Sequence, residues 1–146
     1  MTVRLHPEIY GAIWIESEEN KLSFYLLAGL IQTESAFNPN AIGDQGESHG
    51  LCQLHVRGAG AGQSLAQLHD ISANVRIGAN YLAECITETG TIEDGLSAYN
   101  QGLAGWRRHG KSVNVDYVLT VRNWETMFEI QGVERMTWPE RYVQGL

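Results

Sequence analysis

Cysteine, proline and basic charge are all scarce in this chain, with two cysteines, three prolines and ten lysines plus arginines among 146 residues. Each scarcity excludes something. Cys52 and Cys85 allow at most one bridge, so a disulfide scaffold is ruled out; both lie in apolar surroundings and read as free, mostly buried thiols. Two cysteines and five scattered histidines reproduce no close metal-ligand spacing, so neither a metal nor another cofactor is expected. So few prolines leave most of the chain free to form long helices. Ten basic residues against 17 acidic ones, a net charge of −7, disfavour a nucleic-acid partner, because phosphate binding demands a basic surface. No stretch approaches the roughly 20 apolar residues that a membrane-crossing helix needs, so stable membrane insertion is not expected. Residues 1–7 lack the basic cluster and following apolar run of a signal peptide.

What remains is a composition that folds. The chain is 43% hydrophobic and 18% charged, and its length suits a single domain over residues 1–146 with a core large enough to stand without crosslinks. The periodicity predicts a mostly helical protein. A first helix covers about 7–18, opened by Pro7, with Ile9, Ile13 and Trp14 on one side. A second runs from Ser23, which can cap it, through Ser35; Leu26, Leu27, Leu30 and Ile31 form its stripe, and Ala28 and Gly29 let a neighbour come close. Asn38 and Pro39 are expected to stop it.

Residues 38–50 form a polar, glycine-rich loop that suits a small hairpin, and 51–56 read as the start of a short helix before Gly58, Gly60 and Gly62 break the chain. The longest predicted helix is 70–89, with Ile71, Val75, Gly78, Leu82 and Ile86 at steps of three and four. Thr91 caps another that ends at Gly102, and 113–130 forms the last, with Tyr117, Val121, Trp124 and Phe128 on one side. Residues 132–146 carry little pattern and are expected to wrap the domain.

Glu34 stands out by position. A carboxylic acid at the end of an apolar helix, beside a glycine-rich loop, is partly desolvated yet faces a cleft. Desolvation favours the neutral acid and raises its pKa, which is what a general acid requires. The competing reading is a helix-end glutamate making local hydrogen bonds. Gln53 offers an amide that donates and accepts where the loop re-enters the fold, either toward a ligand or as a loop cap. Asn100, just before the Gly102 break, suits either a cleft wall or a helix cap, and Tyr99 suits a core position with its hydroxyl on a polar group.

Four segments carry a resemblance: 29–41 (GLIQTESAFNPNA), 50–54 (GLCQL), 97–102 (SAYNQG) and Tyr117-Val118. In this order they resemble the motifs of the lytic transglycosylase family related to soluble lytic transglycosylases and goose-type lysozyme. Each alone is weak, but four in order over the middle two thirds of the chain are specific. The resemblance implies an α+β lysozyme-like fold, mostly α, with a central helix ending at the catalytic glutamate and a small loop or hairpin beside the cleft. It implies Glu34 as acid and base, Ser35, Gln53, Tyr99 and Asn100 as substrate-binding residues, and Tyr117 as the residue that orients Glu34. The implied substrate is the glycan of peptidoglycan, cleaved between N-acetylmuramic acid and N-acetylglucosamine to leave a 1,6-anhydromuramoyl end.

Two departures concern the loop. Gly43 replaces a serine common in the family, with Ser48 as a local substitute, and Cys52 replaces a common methionine. The loop also carries Asp44 and Glu47. Either could activate water as the second carboxylate of an inverting hydrolase, which keeps a muramidase reading open; a non-catalytic peptidoglycan-binding module is the third. A wall-degrading protein without an export signal is expected to be phage-encoded, virion-associated or delivered from the host cytoplasm. A phage structural partner docking near Trp138 would fit that origin.

Overall fold

The computed structural model describes residues 2–110 and 113–137. Seven helices and two small sheets form the described fold: β1 (Val3–Leu5), α1 (Pro7–Asn20), α2 (Phe24–Ser35), β2 (Ile42–Gly43), β3 (Ser48–His49), β4 (Leu54–His55), α3 (Leu65–His69), α4 (Ile71–Thr89), α5 (Ile92–Gln101), α6 (Leu103–His109), α7 (Val115–Gln131) and β5 (Val133–Arg135). This is the mostly helical arrangement with a small sheet beside it that the sequence predicts. Local chemistry sets the long helices. Ser23 accepts from the amides of Tyr25 and Leu26 at the start of α2, Asp70 accepts from Ala73 at the start of α4, and Thr91 accepts from Asp94 at the start of α5.

α2 is the core helix. Leu26 to Ile31 are all buried along it, so it is apolar on every side and must be surrounded. α7 packs along it most extensively, while α4 lies against α1 and α5. The α2–α7 contact is close because Gly29 has no side chain: a Cβ there would stand 2.8 Å from the Val121 carbonyl oxygen and 3.0 Å from the Glu125 nitrogen.

Several expectations needed correction. α2 ends at Ser35 as expected, but its stop is made by Ala36 and Phe37, which take left-handed backbone conformations before Asn38 and Pro39 are reached, and the Ala36 amide donates to the Gln32 carbonyl. Residues 51–56 form no helix; Gln53 turns at φ 48° into β4, which closes the antiparallel sheet β2–β3–β4. Two apolar residues, Leu51 and Leu54, are too close in sequence to separate helical from extended periodicity. The short helices α3 and α6 were missed, as was β5, which pairs in parallel with β1 and joins the two ends of the described chain. Met136 is buried just beyond β5; the proposed docking residue Trp138 lies outside the described residues. Cys52 and Cys85 are free and buried, as expected.

Candidate active site

The α2–α7 crossing fixes the first half of the site. Moving along α2 from Gly29 to Glu34 runs backward along α7 from Val121 to Tyr117. The same close approach therefore brings Tyr117 to the helix end, where its hydroxyl donates to Glu34 Oε1 at 2.6 Å. Glu34 lies on the wall of a cleft of about 450 Å³. Its carboxyl pKa is raised to about 7, first by burial; the Tyr117 hydrogen bond pulls it down, and the charge of Asp44 pushes it up again. Burial also lifts the Tyr117 hydroxyl well above its ordinary value, so it remains a hydrogen-bond donor. Near neutral pH the site holds an acid that can give its proton and a phenol that steadies the carboxylate left behind.

The opposite wall comes from the loop and the short sheet. Asp44 sits in a left-handed turn at φ 50°, and Ser48 Oγ donates to its Oδ2 at 2.5 Å, so Ser48 does supply a local hydrogen bond in this loop. Asp44 lines the cleft with Glu34. Glu47 does not. Its carboxylate pairs instead with Arg57 at 3.3 Å and lies 4.0 Å from His55, so of the two candidate second carboxylates Asp44 alone lines the cleft. Gln53 lines the cleft too, but its Nε2 donates to the carbonyls of Ala41 at 3.1 Å and Gly50 at 3.0 Å. Both amide hydrogens thus close the loop, and only Oε1 is left for a ligand.

Tyr99 forms part of the cleft floor, buried, with its hydroxyl donating to the Cys52 carbonyl at 2.7 Å. Asn100 is exposed in the cleft. Ser35 is not among the lining residues; its hydroxyl donates to the Leu51 carbonyl at 2.8 Å and ties the end of α2 to the loop instead of facing a substrate. Beyond Gly58, Ala59 and Tyr81 the cleft continues into a second hollow over Ile77, Asn80 and Glu84 of α4. Among the described residues no group of three or more potential metal ligands gathers, and no helix is long and apolar enough to cross a membrane.

A family model described as the transglycosylase SLT domain matches residues 12–116. The chain belongs to this family. The match takes in Glu34, Gln53, Tyr99 and Asn100 and stops just short of Tyr117. The fold of this SLT domain is similar to that of the lytic transglycosylase Slt from Pseudomonas aeruginosa, solved as an inactive mutant, with a TM-score of 0.69 at 21% identity. That likeness covers 90% of this chain but 26% of the Pseudomonas chain, so the domain spans about a quarter of that protein's length. No curated protein matches.

Sequence reasoning missed the residues that brace the loop wall of the SLT domain. Asn74 of α4 is 1% exposed and satisfies three backbone groups: its Oδ1 accepts from Cys52 N at 2.8 Å, and its Nδ2 donates to the His49 and Leu68 carbonyls at 2.9 and 2.7 Å. Its signal was a polar residue beside Val75 and three positions after Ile71, on the apolar stripe of the helix. His49 and His69 make a second brace, with ring nitrogens 3.0 Å apart; His49 also reaches the Gly46 carbonyl at 2.8 Å and His69 the Pro39 carbonyl at 3.0 Å. Twenty residues separate the two histidines, and no local spacing marks them as partners.

Proposed function

We propose that this SLT domain is a lytic transglycosylase acting on the glycan strands of peptidoglycan. The observation that carries the reading is Glu34 itself: a buried carboxyl with its pKa raised to about 7, open to a cleft and hydrogen-bonded by Tyr117. Breaking a glycosidic bond needs a proton on the departing oxygen, because an alkoxide leaves poorly. Glu34 gives that proton to the N-acetylglucosamine oxygen as the bond to C1 of N-acetylmuramic acid breaks. The C6 hydroxyl of the muramoyl residue then closes on C1, and the Glu34 carboxylate takes its proton. Glu34 is regenerated, no water is consumed, and the product ends in a 1,6-anhydro ring.

This route needs one carboxyl that changes charge cheaply, and Tyr117 donates to it while it is ionised. The extension of the cleft over α4 suits a polymer. One observation favours a second reading. Asp44 lies in the same cleft, where a carboxylate could activate water and make the enzyme a muramidase.

Mass analysis of products from purified peptidoglycan separates the two. Anhydro-ended muropeptides are expected; products heavier by one water would replace transglycosylation by hydrolysis. Glu34→Gln is expected to lower turnover by roughly 10²–10⁴-fold, since an amide neither gives nor recovers the proton. Absence of turnover by the unaltered domain would leave the binding-module reading in its place.

A further inference from the structure

Asn114 occupies the capping position of α7 but does not cap it. An asparagine there ordinarily accepts from an amide of the first helical turn. Its side chain is instead committed to α5, whose Asn100 and Gln101 line the cleft. Nδ2 donates to the Ser97 carbonyl at 3.0 Å and to Asn100 Oδ1 at 2.9 Å, while Oδ1 accepts from Ser97 Oγ at 2.6 Å and lies 3.3 Å from Gln101 Nε2.

The polarity of this network is forced. The Ser97 carbonyl can only accept, so the Asn114 amide must present its nitrogen there. The Gly110 carbonyl, 2.8 Å from Gln101 Nε2, fixes the Gln101 amide in the same way. Gln101 Nε2 also donates to Ser97 Oγ at 2.9 Å, which leaves the Ser97 hydroxyl hydrogen for Asn114 Oδ1. The second hydrogen on Asn114 Nδ2 then meets Asn100, which must answer with its oxygen. That leaves the Asn100 NH₂ as the end of the amide free for the cleft.

We propose that Asn114 is a positioning residue that sets the polarity of Asn100, so that Asn100 offers the cleft a hydrogen-bond donor. The group it selects is an oxygen acceptor on the sugar, an acetamido carbonyl or a ring hydroxyl. This rests on the glycan-cleaving reading above and adds to it which residue fixes the donor. The diversion of the cap is the mark of the role: α7 forgoes a local hydrogen bond so that its capping residue can hold a side chain on another helix.

The test is equilibrium binding of soluble glycan strands from peptidoglycan, measured in the Glu34→Gln background so that turnover does not intrude. Asn114→Ala and Asn100→Ala should each weaken binding about tenfold, the scale of one lost hydrogen bond to a ligand. The double variant should be no weaker than either single one. Additive losses would overturn the proposal while leaving the glycan reading intact, whereas no binding by the Glu34→Gln parent would overturn both. In the active enzyme, Asn114→Ala should raise KM more than it lowers kcat and leave the pH limb of turnover in place. A shifted limb would mean that Asn114 serves Tyr117, three residues along α7, and would also overturn it. Asn100→Asp keeps the oxygen that faces Asn114 and exchanges only the donor, at an exposed position where folding is not at stake. Binding by that variant at the parent's strength would sink the idea regardless of how Asn114→Ala folds.

Discussion

On the helical side of the cleft, Glu34 and Tyr117 stand on two long helices whose mutual position is set by contact between apolar side chains and bare backbone at Gly29. On the opposite side, Asp44, Gln53 and Ser48 stand on two-residue strands and left-handed turns that give the apolar core Leu51, Cys52 and Leu54. That wall is held by polar atoms: the three bonds of Asn74, the histidine pair, and the Gln53 amide. The difference suits the two jobs. The group that changes charge needs a dry, fixed seat, and dense packing provides it. Under the proposed function, the wall that would meet a polar sugar needs many oriented backbone groups, which hydrogen bonds arrange and packing does not.

Asn74→Ala should therefore break the comparison most sharply. It strips partners from one buried amide and two carbonyls and should cost roughly 3–5 kcal/mol in denaturant unfolding. Hydrogen exchange should quicken first at the Cys52 amide and along the loop, with α2 and α7 still protected. Equal loosening of both walls would mean that they are not separately held.

Gly29→Ala attacks the other wall. The added methyl meets the backbone of α7, which yields less readily than a side chain, and overpacking of this kind costs about 1–3 kcal/mol. Alanine's better helix propensity returns up to about 1 kcal/mol, so the net loss should be near 1–2 kcal/mol. The larger effect should be on activity, because parting α2 from α7 lengthens the bond from Tyr117 to Glu34. Activity is expected to fall by about tenfold, the worth of one well-placed hydrogen bond, in a domain that still unfolds cooperatively. Unchanged turnover would show that the crossing at Gly29 does not set the catalytic pair.

The two walls also differed in how far they could be read from sequence. α2 announces itself by stripe and cap, α4 and α7 by their stripes, and Gly29 beside Leu30 marked a close approach before the neighbour was known. Glu34 was legible because helix end, apolar surroundings and motif coincided. The loop wall was not, because its bonds join residues far apart in the chain: Asn74 to Cys52 and His69 to His49. Periodicity reports burial along one element and is silent on a polar side chain that answers the backbone of another. Ser35 and Glu47 failed for the same reason. Their types and positions suited a cleft, yet Leu51 and Arg57 had prior claim on them.

The finest comparison sets Tyr117 against Asp44, one from each wall, acting on the same proton. Glu34 must be protonated to act as the acid, so turnover should fall as pH rises through about 7. The Tyr117 hydrogen bond favours the carboxylate and lowers that value, so Tyr117→Phe should move the falling limb to higher pH. The Asp44 charge disfavours the carboxylate and raises it, so Asp44→Asn should move the limb to lower pH. Burial, the largest cause, is untouched by either change, so both shifts should be modest and opposite, read from kcat/KM across pH 5–9. Asp44→Asn carries a second reading in the same experiment. If Asp44 only tunes Glu34, activity on the acid side of the profile should stay near that of the unaltered enzyme. If Asp44 activates water, activity should collapse at every pH and the transglycosylase reading would yield to the hydrolase. A shift of both variants in one direction would mean that the loop wall and the helical wall do not meet electrostatically at Glu34, and that each variant acts through a change in packing.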